Sequence, residues 1–261
     1  MTTARRIFAN NIHLNILEQG SGPLSLVFLH YFGGSALEWQ FVMNPLANYY
    51  HCVAIDLRGF GNSDAPPSGY SVNDMADDIA ATLKTLQIER AVVIGHSMSG
   101  KAALALAARQ PAELQSLILV SPSPPVPEPI PDQERQKLLQ GHGRRSGAEQ
   151  TLKNITAASV SENVKEQIIA DDLRTSKVAW DAWLMAGSKE NIAGQLSSIN
   201  IPVSIIVGTS DRALPPDVQT KLVIPYLKTA SLDMIENAGH LLPWEVPEQL
   251  ADFILKKIWA G

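Results

Sequence analysis

The stretch VVIGHSMSGKAALALAA, residues 92–108, constrains the fold more than any other. A continuously apolar run suits a strand buried on both faces of a sheet. It ends in Gly-His-Ser-Met-Ser-Gly, and an alanine-rich helical segment follows at once. A tight strand-to-helix turn needs small residues two places either side of its apex, because a bulky Cβ would strike neighbouring backbone. Gly95 and Ser99 meet that need around Ser97, and Gly100 adds room. Such a turn sets the apex hydroxyl beyond the carboxyl edge of the sheet and aims a helix N-terminus at it. This is the pattern of a nucleophile elbow, usually Gly-x-Ser-x-Gly, with Ser99 in the last place.

The rest of the chain repeats the strand–helix rhythm. RRIFAN and IHLNILEQG are close enough to pair antiparallel. Apolar runs then fall at 25–30, 51–57, 91–96, 114–121, 203–209 and 230–236. Ser71 and Asp74 form a capping box before a stripe of Val72, Met75, Ile79, Leu83 and Leu86. Pro247 opens a last helix that packs through Leu250, Phe253, Ile254 and Ile258. Alternation of this kind predicts a doubly wound, mostly parallel α/β sheet. The rhythm breaks after Val120. SPSPPVPEPIP, 121–131, holds six prolines in eleven residues and reads as a stiff connector. Helical segments follow at about 132–140, 148–158, 161–173 and 176–186, with GHGRRSG (141–147) as a flexible break. The expected division is a core of 1–124 and 191–261, with 125–190 inserted as a helical lid over the carboxyl edge.

A serine hydroxyl needs a base to become nucleophilic, and the base needs a carboxylate to orient it. Asp211, in VSIIVGTSDRALPP, lies just past one buried strand, and His240, in LDMIENAGHLLPWEVPEQ, just past the next. With Ser97 they occupy three strand ends on one edge of one sheet. The net charge of −5 argues against nucleic acid or an anionic membrane as a partner. The histidines, His13, His30, His51, His96, His142 and His240, lack metal-ligand spacing, and no phosphate-binding glycine loop opens a strand–helix unit. No metal or other cofactor is expected. The lone Cys52 reads as a core residue. No signal peptide or membrane span is legible, so a cytoplasmic location is expected, as a monomer or homodimer.

The segments FLHYFGGS, DLRGFGNSDAP, VIGHSMSG, IIVGTSDRALPP and GHLLPWEVPEQ together resemble the α/β-hydrolase superfamily in its short, lidded form. The order Ser…Asp…His matches that fold. The resemblance implies an esterase- or lactonase-type serine hydrolase acting on a small-molecule ester or lactone. Ser97 is then the nucleophile, His240 the base and Asp211 its orienting acid. The backbone amides of Phe32 and Met98 form the oxyanion hole. Tyr31 stands where the family usually has glycine, which alters the loop. Tyr31, Phe32, Met98, Trp180, Trp183, Leu214 and Leu241 are the expected pocket lining.

Other residues read as structural. His30 braces its loop, Asp56 and Arg58 form a turn-stabilising pair, and Glu245 with Pro247 starts the last helix. Lys101 is carried away from Ser97 to the helix surface or under the lid, and Asp233 lies within a strand. The same triad also serves C–C bond hydrolysis, perhydrolysis in the style of cofactor-free haloperoxidases, or a ligand receptor. Asp in place of Ser97 would be needed for a haloalkane dehalogenase or epoxide hydrolase.

Overall fold

The computed structural model describes residues 2–259. Eight strands form one sheet: β1 (Thr3–Ala9), β2 (Ile12–Gln19), β3 (Ser25–Leu29), β4 (His51–Ile55), β5 (Ala91–His96), β6 (Leu114–Val120), β7 (Val203–Gly208) and β8 (Ala230–Ile235). Their order is β1-β2-β4-β3-β5-β6-β7-β8. β1 pairs antiparallel with β2, and β2 antiparallel with β4. All later pairings are parallel. The β1–β2 turn is Asn10-Asn11, with φ of 50° and 64°. Asparagine tolerates that region, and a two-residue turn of this hand matches the strand twist.

Every residue of β3 and β5 is buried, because helices cover both faces of the sheet. Side chains alternate between two cores. Val27, Leu29, Val53, Ile55 and Val93 face α2 (Val72–Thr85) and α3 (Met98–Ala108). Leu26, Phe28, Cys52, Ala54 and Ile94 face α1 (Gln40–Leu46) and the C-terminal helix Pro247–Trp259. Burial pushes the Cys52 thiol up to about 12, so it packs as an inert apolar group. The α2 cap is reciprocal: Ser71 accepts from the Asp74 amide, and Asp74 accepts from the Ser71 amide.

Four helices occupy the span between β6 and β7: α4 (Asp132–Gly141), α5 (Arg145–Ile155), α6 (Glu162–Arg174) and α7 (Lys177–Met185). The glycine-rich stretch between α4 and α5 is shorter and tighter than its sequence suggests. Gly147 already lies in α5, and a Cβ there would sit 2.5 Å from the Gly141 carbonyl oxygen. These glycines permit close helix approach rather than flexibility. Ser161 and Ser176 cap α6 and α7. A third core, with Tyr31, Leu152, Ile168, Ile169, Leu241 and Trp244, joins this helical segment to the loops at the carboxyl edge. After β7 come α8 (Pro216–Leu222), α9 (Leu242–Glu245) and α10 (Pro247–Trp259). Among the described residues no helix is long and apolar enough to cross a membrane.

Candidate active site

Ser97 stands between β5 and α3 with φ 53° and ψ −117°, a conformation that costs a non-glycine residue about 1–3 kcal/mol. The strain is held from both sides. The Ser97 amide donates to Val120 O and its carbonyl accepts from the Ser123 amide, each at 2.9 Å. A Cβ at Gly95 would lie 2.9 Å from the Gly100 Cα, and one at Gly100 would lie 2.7 Å from the Pro122 Cβ. Ser99 does more than fit. Its hydroxyl lies 2.8 Å from Leu29 O and 2.9 Å from His96 O, and accepts from the His96 amide at 3.0 Å. The departure from glycine ties the turn to the end of β3.

Asp211 follows β7 and His240 follows β8. Their side chains meet: His240 Nδ1 lies 2.8 Å from Asp211 Oδ2. Asp211 Oδ1 accepts from the Ala213 and Leu214 amides at 2.8 and 2.9 Å. Burial alone would raise the Asp211 pKa. The His240 charge and the bonds from His240 and the Leu214 amide outweigh it and hold the value at about 2. Burial likewise opposes a charged His240, yet the Asp211 carboxylate carries its pKa above the ordinary histidine value. With Nδ1–H given to Asp211, Nε2 is left as the basic nitrogen. The His240 amide donates to Ile155 O at the end of α5 at 2.8 Å, which fixes the loop to the helical segment.

Ser97 and His240 share the wall of one cavity of about 670 Å³ beneath α4–α7. Tyr31, Phe32, Trp180 and Trp183 also line it. The Phe32 and Trp180 rings stack with centroids 4.3 Å apart. Leu214 and Leu241 do not line it. Both are fully buried, because the Asp211 turn draws Leu214 inward and Leu241 packs with Trp244 in the third core. The Met98 side chain also belongs to the main core. The Phe32 and Met98 amides have no protein acceptor among the described residues. Met98 opens α3, so its amide is one of the free N–H groups of a helix start.

A family model described as an alpha/beta hydrolase family matches residues 26–253. The chain belongs to the alpha/beta hydrolase family. A 2-(acetamidomethylene)succinate hydrolase of Mesorhizobium japonicum is 36% identical over 121 residues, 46% of this hydrolase and 43% of that protein. That match spans less than half of the relative's length. A 2-hydroxy-6-oxononadienedioate/2-hydroxy-6-oxononatrienedioate hydrolase of Paraburkholderia phymatum is 31% identical over 94% of this hydrolase and 89% of its own chain. The structure of an esterase from Exiguobacterium antarcticum superposes with a TM-score of 0.90 at 22% identity, covering 98% of this chain and 99% of that one. At that identity the likeness concerns the fold.

Several residues of this hydrolase do more, or other, than their sequence context suggests. Asp56 and Arg58 do not pair. Asp56 accepts from the Ala36 and Asn62 amides and the Asn15 side chain, whereas Arg58 binds Asp78 at 2.6 Å and the Gly69 carbonyl. His30 takes Leu57 N–H on Nε2 at 3.0 Å and places Nδ1 2.7 Å from Tyr31 O. Glu245 ends α9 rather than starting α10, and its carboxylate gathers the amides of Gly239, Leu241, Ala157 and Ala158. It therefore pins both the His240 loop and the end of α5. Lys101 is wholly buried under the helical segment, with Nζ 3.3 Å from Val126 O and 3.5 Å from Gly187 O. Asp233 pairs with Lys257 at 2.5 Å, far in role from His240.

Two features escape sequence reasoning. His96, before Ser97, lies with Nε2 2.9 Å from His240 O and Nδ1 3.1 Å from Glu38 Oε1, with both side chains fully buried. Asp171 and Asp172, adjacent on α6, are both buried, but with opposite surroundings. Neither has a local signature, because each depends on chain brought in from far along the sequence.

Proposed function

We propose that this hydrolase cleaves carboxylic esters or lactones that carry no carboxylate, through an acyl-enzyme on Ser97. The observation that carries this reading is the charge inventory of the cavity. Its lining holds three carboxyl groups, Glu128, Glu134 and Asp217, and one cation, Arg212. Arg212 is already engaged with Lys153 O and Thr156 O. Nearby lysines are occupied as well: Lys137 pairs with Glu134 and Lys221 with Asp217. A dianionic substrate, such as the succinate and the dioate that name the two relatives, would find no uncommitted arginine or lysine among the described residues of this wall to receive its carboxylates. An apolar acyl chain instead meets Phe32, Trp180, Trp183, Leu138, Leu184 and Val218.

In this mechanism Ser97 Oγ attacks the ester carbonyl carbon while His240 Nε2 takes its proton. Asp211 holds the ring and stabilises the imidazolium. The Phe32 and Met98 amides receive the oxyanion. Collapse expels the alcohol, which takes the proton back from His240. Water, deprotonated by the same nitrogen, then releases the acid and restores Ser97. A lactone follows the same path with its alcohol still tethered.

The test is a panel of p-nitrophenyl esters, simple and N-acyl lactones, and a dicarboxylate vinylogous diketone, run on wild type and Ser97→Ala. Turnover of the esters or lactones falls at least about 10³-fold in Ser97→Ala. Cleavage of the dicarboxylate diketone with the esters untouched would overturn the reading in favour of C–C bond hydrolysis.

A further inference from the structure

Beside the Ser97 cavity lies a side chamber of about 190 Å³ between α4, α5, α6 and α7. Glu134, Leu138, Thr151, Asn154 and Trp180 line both spaces, so the two are neighbours across shared walls. Asp172 of α6 lines the chamber. Its neighbour Asp171 is fully engaged, by the Ser35 hydroxyl at 2.8 Å, the Gln167 amide at 3.0 Å and Arg174. Asp172 is only 7% exposed, yet among the described residues its carboxyl group takes part in no hydrogen bond or ion pair. Among the described residues the other buried aspartates and glutamates each have at least one partner, so Asp172 is the exception.

Its position relates it to the chemistry. A Cβ built at Gly33, one residue past Phe32, would lie 3.5 Å from Asp172 Oδ2 and 3.4 Å from the Trp180 ring. The carboxyl thus stands where the Phe32 loop, Trp180 and the chamber meet. Polar oxygens stand nearby: the Thr151 hydroxyl, and Asn154 Oδ1, which accepts from Gln150 at 2.8 Å and keeps a second lone pair.

We propose that this chamber binds a primary ammonium group, carried on the alkyl tail of the substrate, with Asp172 as its counter-ion and Thr151 and Asn154 as its remaining acceptors. An ammonium has three donors and no acceptor; the one lysine of the chamber lining, Lys137, pairs with Glu134 at 3.6 Å, which leaves Asp172 without a cation. Burial raises the Asp172 pKa to about 7, and a cation beside it would favour the charged form. Leu138 and Trp180 are the apolar side chains common to the chamber and the Ser97 cavity. The assignment of a substrate tail rests on the ester-hydrolase reading, whereas binding of an ammonium in the chamber does not.

Two experiments separate these. The first uses tryptophan fluorescence, because Trp180 forms the shared wall. Wild type and Asp172→Asn are titrated with n-hexylammonium chloride and with 1-hexanol. Wild type shows a saturable response to hexylammonium at concentrations at least about tenfold below those for hexanol, and Asp172→Asn loses that difference. Equal responses to the two amphiphiles in wild type, or an undiminished ammonium response in Asp172→Asn, would overturn the proposal. The same variant should melt no lower than wild type, since it removes an unpartnered buried acid. A lower melting temperature would show that Asp172 has a structural partner and would likewise count against the proposal. The second experiment compares kcat/KM for p-nitrophenyl 6-aminohexanoate and its neutral isostere, the heptanoate. Wild type favours the amino ester by about tenfold or more, through KM, and the ratio falls to about one in Asp172→Asn. If both esters are cleaved through Ser97 without preference, the substrate-tail assignment falls and the hydrolase reading stands. If neither is cleaved, the hydrolase reading falls, and the fluorescence titration alone decides the chamber.

Discussion

At the carboxyl edge of the sheet, Asp56, Asp211 and Glu245 each accept at least three N–H groups. On α6, in the helical segment above them, Asp172 accepts none. The edge uses its carboxylates as fixings. Asp56 holds the turn after Phe32, Asp211 folds its own loop and orients His240, and Glu245 clips the His240 loop to α5. Each is bonded to backbone that its own fold brings close, so charge and geometry are settled before any ligand arrives. The helical segment keeps one carboxyl in reserve. The contrast separates groups that build a site from a group that is left for something to bind.

The strongest way to break that contrast is to remove a fixing that, in the proposed mechanism, also takes part in the chemistry. In Asp211→Asn, Oδ1 can still accept the Ala213 and Leu214 amides, but an amide N–H₂ would face His240 Nδ1 and drive the ring proton to Nε2. The ring then cannot act as base, and kcat/KM falls about 10³- to 10⁴-fold. The pH profile supplies the sign. In wild type the raised His240 pKa sets the acid limb, so activity falls as pH drops through a value above the ordinary 6.5. Without the Asp211 charge, burial of the ring dominates and the limb of the residual activity moves below that value. A loss under about tenfold, or an unmoved limb, would show that Asp211 is a loop fixing and nothing more.

Glu245→Ala tests a fixing that never touches the substrate. Four amides lose their acceptor: Gly239, Leu241, Ala157 and Ala158. Some are open to solvent and regain a partner in water, so the expected loss is about 2–3 kcal/mol in urea unfolding. The control is Asp217→Ala, at an exposed ion pair with Lys221, which should change stability by less than about 0.5 kcal/mol. Because His240 loses its clip, kcat should fall more than KM rises. Equal losses at the two positions would erase the distinction drawn between edge and surface carboxylates.

The two regions also differ in how far the sequence exposes them. Gly95, Ser97, Ser99 and Gly100 are fixed by local sterics, so four small positions within six residues disclose the turn. Asp211 and His240 are marked by the buried strands they follow. The mostly parallel sheet is legible for the same reason, since β3, β5 and β7 carry continuous apolar runs. Packing across long sequence separations leaves no such mark. Leu214 and Leu241 resemble pocket residues by place in the chain, but the turns beside them rotate both into the core. Asp56 and Arg58 sit two apart, and their partners, Ala36, Asn15 and Asp78, come from three other elements. Asp172 is distinguished by what fails to reach it, and no periodicity encodes that.

Glu38 offers the finest test, because it is an edge carboxyl that reverses the usual direction of donation. The His240 carbonyl oxygen can only accept, so the contact at 2.9 Å requires a proton on His96 Nε2. Burial pulls the His96 pKa well below its ordinary value and pushes that of Glu38 well above the carboxylate range. The ring is therefore neutral, Nδ1 carries a lone pair, and Glu38 Oε1 at 3.1 Å must bring the hydrogen. Glu38→Gln supplies an N–H to the same nitrogen and should change stability by less than about 1 kcal/mol. Glu38→Leu leaves Nδ1 bare in a dry site and should cost about 1–3 kcal/mol. If the pair were instead a buried carboxylate and imidazolium, Gln and Leu would each strand the charged ring, and both would lose about 3–5 kcal/mol. The ¹⁵N shift of His96 Nδ1 distinguishes the two directly: an unprotonated, accepting nitrogen places Glu38 apart from Asp211 and Glu245, as the carboxyl that holds the His240 loop by giving a proton rather than receiving one.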